Sequence, residues 1–502
     1  MYWMGIDVGT GGTRALLIDG KGREVASVTA PHRDMLMLHP MWAEQEPEDW
    51  ANAAAQAVRG VLAAANVGAE DVRGIGLSGQ MHGLVVLDEN GAVIRPALIW
   101  CDQRSQTQVD FVNATLGSET VLQLTANPVL TGFTLPKLLW VRDNEPAFFE
   151  RARRMLLPKD YVRYCLTGEF ATDVSDASGT SLFNVAHRRW SFEMMDGLGL
   201  DREILPRVFE SPEITGTVTK RGGELTGLAP GTPVVAGGGD QAAGGVGNGI
   251  VRPGVVSCTL GTSGVIFAHM EQLAYDPLGR LHTFCHAVPG KWHVMSVTQG
   301  AGLSLQWLRN QLFSGADYDT LMSEAATAPA GSQGLFWLPY LMGERAPHLN
   351  PEARGGWIGL TARHTRADLI RAVIEGVSYS QKDCLDIIED LGVRADSVRA
   401  SGGGARSALW RQILADVFGK RVVRLSNQEG SAFGAALLAM TGTGEFASVP
   451  EACDAAIAQQ DSVDPRPAES ALYARAHGVF QSLYPALAAV YPRMSSLFSA
   501  SS

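Results

Sequence analysis

Two turns rich in glycine and threonine, Gly9-Thr10-Gly11-Gly12 and Gly261-Thr262-Ser263-Gly264, have a composition that could do chemistry. A tight turn of this kind aims several backbone N–H groups and a hydroxyl at one point, which suits a phosphate oxygen. Asp7, just before the first turn, adds a carboxylate suited to Mg²⁺ or its waters, because hard cations take oxygen ligands. Gly12 lets the chain close, and Thr10, Thr13 and Arg14 could orient a transferring group. One such turn reads as an ordinary hairpin. Two matching turns in one chain point to an internal duplication of a phosphate-gripping hairpin.

Asp240 follows the three glycines Gly237, Gly238 and Gly239 and precedes Gln241 at the entry of an expected helix. Aspartate at such a place is commonly an N-cap. A strand-to-helix junction is also where α/β proteins put ligands, and a carboxylate there could accept the proton of an attacking hydroxyl during phosphoryl transfer. Position in the sequence leaves both roles open. A third glycine cluster, Gly402-Gly403-Gly404 followed by Ser407, would let an adenine or ribose lie against main chain. No GxxxxGK[ST] loop occurs, and the third cluster lacks the GxGxxG spacing of a dinucleotide site.

Recognition of a sugar needs polar groups crossed with an apolar wall. Gln80, Met81 and His82 follow one expected strand, and Trp100 and Asp102 follow another. Gln80, His82 and Asp102 are the candidate hydroxyl contacts, with Met81 and Trp100 as the wall. His282 and His286 have a metal-binding spacing only on a helix; their segment reads as a strand, which would hold the rings about 13 Å apart and exclude zinc.

The elements that must position these groups follow from hydrophobic periodicity. Residues 3–8 and 14–18 form a hairpin and 24–29 a third strand, followed by a helix from Pro47 and strands over 72–77, 84–87 and 97–100. The second half opens in the same way, with strands over 232–236, 255–260 and 265–267. Thr365 and Asp368 form a capping-box start to a long helix, and 398–401 is a strand with a helix from about Ser407. This order predicts an α/β protein of two lobes with an intervening cleft, divided as 1–243 and 244–502.

Composition sets the class. With 46% hydrophobic and 19% charged residues the chain is expected to fold throughout, except at the Ser-rich tail from Ser495. A net charge of -11 excludes nucleic acid and anionic membrane as partners, since both need a basic surface. Six scattered cysteines without a CxxC pair read as reduced thiols, and no apolar run is long enough to span a bilayer, so the expected location is the cytoplasm. A homodimer is carried as the expected assembly.

Two longer stretches resemble the FGGY carbohydrate kinases: residues 132–141, GFTLPKLLWV, and Gly356-Trp357-Ile358-Gly359-Leu360 continued by Asp368-Leu369 and Ala372-Val373-Ile374-Glu375. The resemblance runs from Tyr2 to about Met440. It implies an actin-type pair of ribonuclease H-like lobes, with ATP and Mg²⁺ as cofactors. It also implies Asp240 as catalytic base, Asp7 as metal-associated acid, Thr10, Thr13, Gly261 and Thr262 as phosphate loops, and Gly403 with Gly404 as adenosine loop. The tetrad Gln80-Met81-His82-Gly83 is similar to the family's xylulose-binding stretch, where glycerol kinases carry Arg-Glu. Lys159-Asp160-Tyr161, Leu338-Pro339-Tyr340 and Gly343-Glu344-Arg345-Ala346-Pro347 are similar to segments of the same branch, whereas Gln241 stands where some relatives have Asn. The implied reaction is phosphorylation of D-xylulose to D-xylulose 5-phosphate. The alternatives are another ketose or polyol (ribulose, sedoheptulose, glycerol), or an actin-like or chaperone-like ATPase with no sugar substrate.

Overall fold

The computed structural model describes residues 1–426 and 430–499. The chain opens with a meander: β1 (Tyr2–Val8) pairs antiparallel with β2 (Gly12–Asp19), and β2 with β3 (Glu24–Pro31). Helix α1 (Pro47–Ala65) begins with a proline whose missing N–H costs nothing in a first turn, and buries Trp50, Ala54, Val58 and Val61 along one stripe. The chain then returns as β4 (Val72–Gly79), parallel to β1. β5 (Ile214–Thr217) and β6 (Pro233–Val235) complete a sheet of order β5-β6-β4-β1-β2-β3, and the pair Gly238–Gly239 adds beside β4. Between β4 and β5 lie shorter elements, among them α2 (Pro158–Thr167) and the single-turn helix Val174–Ala177.

Helix α3 (Asp240–Gly247) leads to the second half, which repeats the pattern. β7 (Gly254–Leu260) and β8 (Gly264–Met270) form the second hairpin, followed by β9 (His282–Cys285) and β10 (Trp292–Thr298). The long helix α4 (Arg366–Asp390) starts at the expected capping box, Thr365 N donating to Asp368 Oδ2 at 2.8 Å. β11 (Ala395–Ser401), helix α5 (Ala408–Phe418), β12 (Arg421–Leu425) and β13 (Gln459–Val463) give a sheet of order β9-β10-β8-β7-β11-β12-β13. Strands β3-β2-β1-β4-β6-β5 and β10-β8-β7-β11-β12-β13 correspond one to one in order and direction. The duplication expected from two turns therefore extends to whole sheets, and the fold is the actin-type pair of ribonuclease H-like lobes. No helix among the described residues is long and apolar enough to cross a membrane.

The lobes share more than a hinge. Helix α6 (Gly430–Gly442) belongs by sequence to the second half but packs on β1 and β4 of the first sheet and on α3. It is apolar on all sides, as a helix covered on every face must be. The approach is close enough to require glycine: a Cβ at Gly5 would lie 1.8 Å from the Ala432 carbonyl oxygen, and one at Gly76 1.9 Å from that of Ala435. The expected boundary after residue 243 lies within the span of α3, which packs against α6. The Ser-rich tail also differs from expectation: Tyr491–Ser499 is helical, and only residues 500–502 lie outside the described residues.

Candidate active site

The parallel and antiparallel registers of β1 put Asp7 opposite both Arg14 on β2 and Ser78 on β4. Cross-strand neighbours share a face, so the three side chains converge at the end of the strand. Burial raises the Asp7 carboxyl above its usual value, with the Ser78 hydroxyl and the Arg14 guanidinium pulling the other way. Asp7 Oδ1 is buried without a hydrogen-bond partner among the described residues. An orphaned carboxylate oxygen fits a Mg²⁺ ion that draws its remaining ligands from phosphates and water. No cluster of three His, Cys, Asp or Glu able to hold a metal alone occurs among the described residues. In the duplicated hairpin the position of Asp7 is taken by Thr259, whose hydroxyl meets Ser401 Oγ at 2.9 Å.

Gly9 N donates to Gly12 O at 3.0 Å to close the first turn, and Gly11 is exposed, with nothing within 4 Å of where a Cβ would stand. The turn is therefore open to a ligand through its main chain. Its hydroxyls are committed elsewhere. Thr10 Oγ1 accepts from Trp100 Nε1 at 2.9 Å and donates to Gln80 Oε1 at 3.4 Å. Thr13, expected to orient a transferring group, is fully buried with its hydroxyl 2.8 Å from His32 Nε2, since alternation along β2 turns it into the lobe. Arg14 Nη2 donates to Ser27 Oγ at 2.9 Å.

Gly237 takes a left-handed φ of 75° in close contact with β4, where a Cβ would lie 1.9 Å from Leu77 O. Gly238 and Gly239 then pair beside Ser78 and Gly79, which delivers Asp240 to the same strand ends as Asp7. The helix cap is Gly239, without a side-chain bond, and Asp240 is the first helical residue. Asp240 is half-buried by surface yet ringed by enough protein that desolvation dominates, and with Asp7 near it the carboxyl is pushed up to about 7. Gln241 opposes the shift through hydrogen bonds. Such a group is ionised in part near neutral pH and accepts a proton readily.

The expected sugar contacts divide. His82 has a left-handed φ of 67° and stacks on Phe133 with centroids 4.3 Å apart. Its Nδ1 lies 2.7 Å from Gly179 O, so Nδ1 carries the proton and Nε2 is left as an acceptor; burial holds the ring's pKa down to about 3. Met81 is buried against Gly239, and Trp100 is 47% exposed, leaving indole surface for a ligand. Gln80 is turned inward, its Nε2 donating to Gln45 Oε1 at 2.9 Å, and it ties this stretch to the first hairpin. Asp102, expected to meet a hydroxyl, is wholly buried and accepts from Ala43 N at 2.7 Å and from Arg104 Nη2 at 2.7 Å. It holds the loop that carries Trp100 and has no oxygen to offer a sugar.

On the second lobe a cavity of about 1120 Å³ is lined by Gly261 and Thr262 from the hairpin, Gly403, Gly404 and Ser407 from the third glycine cluster, and Leu305, Met322 and Trp410. The second glycine-threonine turn and the third glycine cluster thus meet at one cavity. Ser407 is also the N-cap of α5, its Oγ accepting from Trp410 N at 3.2 Å. The sequence models of the FGGY family of carbohydrate kinases match this chain with the N-terminal domain at residues 2–247 and the C-terminal domain at 256–443. The chain belongs to the FGGY family of carbohydrate kinases. It is similar to the xylulose kinase of Escherichia coli (strain K12), 42% identical over 438 residues, covering 87% of this chain and 89% of that one. The xylulose kinase of Bacillus subtilis (strain 168) is 36% identical over 483 residues, 96% of each chain. The crystal structure of xylulose kinase from Rhodospirillum rubrum superposes with a TM-score of 0.92 at 31% identity, covering 98% of this chain and 100% of that one.

Two features of this FGGY kinase's site were not singled out from residue types. Phe133, Phe284 and Met295 join Met81 in one apolar cluster, so the wall beside His82 is drawn from both halves of the chain. Lys137 is wholly buried, and its Nζ donates to His82 O at 2.9 Å and Gly132 O at 2.6 Å. Its only signal in the sequence was membership of the stretch 132–141, because a lysine's burial is set by tertiary packing.

Proposed function

We propose that this chain transfers the γ-phosphoryl group of ATP to a hydroxyl of D-xylulose, giving D-xylulose 5-phosphate and ADP, with Asp240 accepting the hydroxyl proton. The observation that carries the reading is Asp240 itself, at the head of α3, with its carboxyl raised to about 7 by burial and the neighbouring Asp7. The names of the similar proteins support the sugar. The open main chain of the first turn, together with Gly261 and Thr262, would grip phosphate, and Gly403, Gly404 and Ser407 would border the adenosine. His82 Nε2 would accept from a sugar hydroxyl, Gln241 would contact the sugar beside the base, and the Trp100 indole and Met81 would form the wall. Mg²⁺ held at Asp7 would supply charge neutralisation for the phosphates. The first lobe would carry the sugar and the second the nucleotide, with the division after α3 rather than within it. A cytoplasmic homodimer completes the reading, tested by light scattering and cell fractionation.

The deciding experiment is ADP release with purified protein over D-xylulose, ribulose, sedoheptulose and glycerol. Highest kcat/KM is expected for D-xylulose. A better second sugar overturns the acceptor, and ATP turnover at full rate without any sugar overturns the kinase reading. Asp240→Asn is expected to lower kcat by about 10³-fold or more while ATP and sugar still bind, because only proton acceptance is removed.

A further inference from the structure

The glycine turn that presents Asp240 is tied at both ends to one buried chain of charges. Before it, Arg163 Nη1 donates to Ala236 O at 2.9 Å; after it, Gly239 N donates to Ser175 Oγ at 3.1 Å. The anchors are connected. Arg163 Nη2 reaches Asp160 Oδ1 at 2.7 Å, the same oxygen accepts from Lys159 Nζ at 2.6 Å, and Lys159 continues to Asp173 Oδ1 at 2.8 Å. Asp173 Oδ2 then accepts from Ser175 Oγ at 2.5 Å. None of these five residues is more than 1% exposed.

Buried ion pairs lose hydration that pairing seldom recovers, so apolar side chains of like volume would stabilise the lobe at least as well. What the charges supply is fixed geometry. Ser175 spends its one proton on Asp173, so its oxygen can only accept, and the Gly239 N–H is what it accepts from. A turn of three glycines has little conformational preference of its own and depends on such outside anchors. We propose that the chain Arg163–Asp160–Lys159–Asp173–Ser175 is a clamp that sets the position of Asp240, with Ser175 and Arg163 as positioning residues for phosphoryl transfer. The proposal rests on Asp240 being the base. A displacement of about 1 Å at a reacting group can cost about 10²-fold in rate without changing what binds.

The test compares Asp240→Asn, Ser175→Ala, Arg163→Lys and a core control, Val58→Ala on the buried face of α1, each with kinetics, binding of ADP and of D-xylulose, and thermal unfolding. Ser175→Ala is expected to lower kcat about 10- to 100-fold with KM for both substrates within about threefold. Arg163→Lys keeps the charge beside Asp160 but gives up the Ala236 bond; it is read in the same way and decides the matter where Ser175→Ala does not fold. Val58→Ala is expected to lose Tm and keep kcat. If Asp240→Asn is inactive while the clamp variants stay within twofold in kcat, the clamp alone is overturned. A fall in kcat for Val58→Ala equal to theirs at matched Tm overturns it too, as a general stability effect. If Asp240→Asn keeps more than about a tenth of kcat, the base reading fails and the clamp with it.

Discussion

Asp240 and Asp7 are two carboxylates brought to the ends of neighbouring strands, and their environments set their proposed roles apart. Asp240 is raised to about 7 by desolvation and then by Asp7's charge. A raised pKa in a base means activity is present above it and lost as pH falls through it. The pH profile of kcat/KM is therefore expected to drop tenfold per pH unit below about 7. With Mg²⁺ near Asp7 the repulsion is offset, so the limb in kcat should lie at lower pH; equal limbs would mean that Asp7 does not hold the cation. Lys137 offers a second test at this scale. Its Nζ donates to the carbonyl of His82, whose left-handed conformation a non-glycine residue reaches at some cost. Lys137→Met removes the donor to the Gly132 carbonyl and leaves the His82 carbonyl with Thr134 Oγ1 alone, at 3.2 Å. It should raise KM for the sugar about tenfold and leave KM for ATP unchanged, a split that steady-state kinetics reads directly.

The two hairpins share strand order and direction, though the first closes over residues 9–12 and the second over residues 261–263, and they differ in the residue that matters. Asp7 in one is Thr259 in the other, so the duplicated element presents a turn in both places and brings a carboxylate in only one. Helix α6 shows how closely elements of the two halves interlock. A Cβ at Gly434 would stand 1.8 Å from Ala243 O, in the first turn of α3. Gly434→Ala should therefore destabilise by about 3 kcal/mol, through overpacking against backbone that cannot yield. It should also lower kcat, since α3 carries Asp240; a drop in Tm without loss of activity would show that α3 tolerates the shift. Asp102 belongs to this scale as well, because it orders the loop behind Trp100 through Arg104.

At the scale of the whole molecule the sugar candidates lie on the first lobe, with the candidate nucleotide cavity on the second. The apolar cluster of Met81, Phe133, Phe284 and Met295 is already drawn from both halves. Transfer requires the two substrates to meet with water excluded, which lobes hinged about the α3 and α6 pair can provide. Small-angle scattering is expected to show a smaller radius of gyration with D-xylulose and a non-hydrolysable ATP analogue together than with either alone. Unchanged scattering would indicate a cleft that is closed from the outset.

The local devices were legible in the sequence alone: both hairpins, the strand-to-helix junction at Asp240, the capping box at Thr365, and the two lobes implied by repetition. Periodicity, turn chemistry and caps depend on near neighbours, so they survive as linear pattern. Which side chains face the cleft was decided only in three dimensions. Thr13 and Asp102 have the right chemistry and the right address in the chain, yet strand alternation buries the first and Arg104 consumes the second. Phe133, Lys137 and Ser175 carry no chemical signal of their own and reach the site because sheets, loops and buried charges pack them there. Asp240 joins the two levels: its junction was legible in the chain, but the structure shows that Gly239 rather than Asp240 caps the helix, and that burial and Asp7 poise its carboxyl near neutral pH.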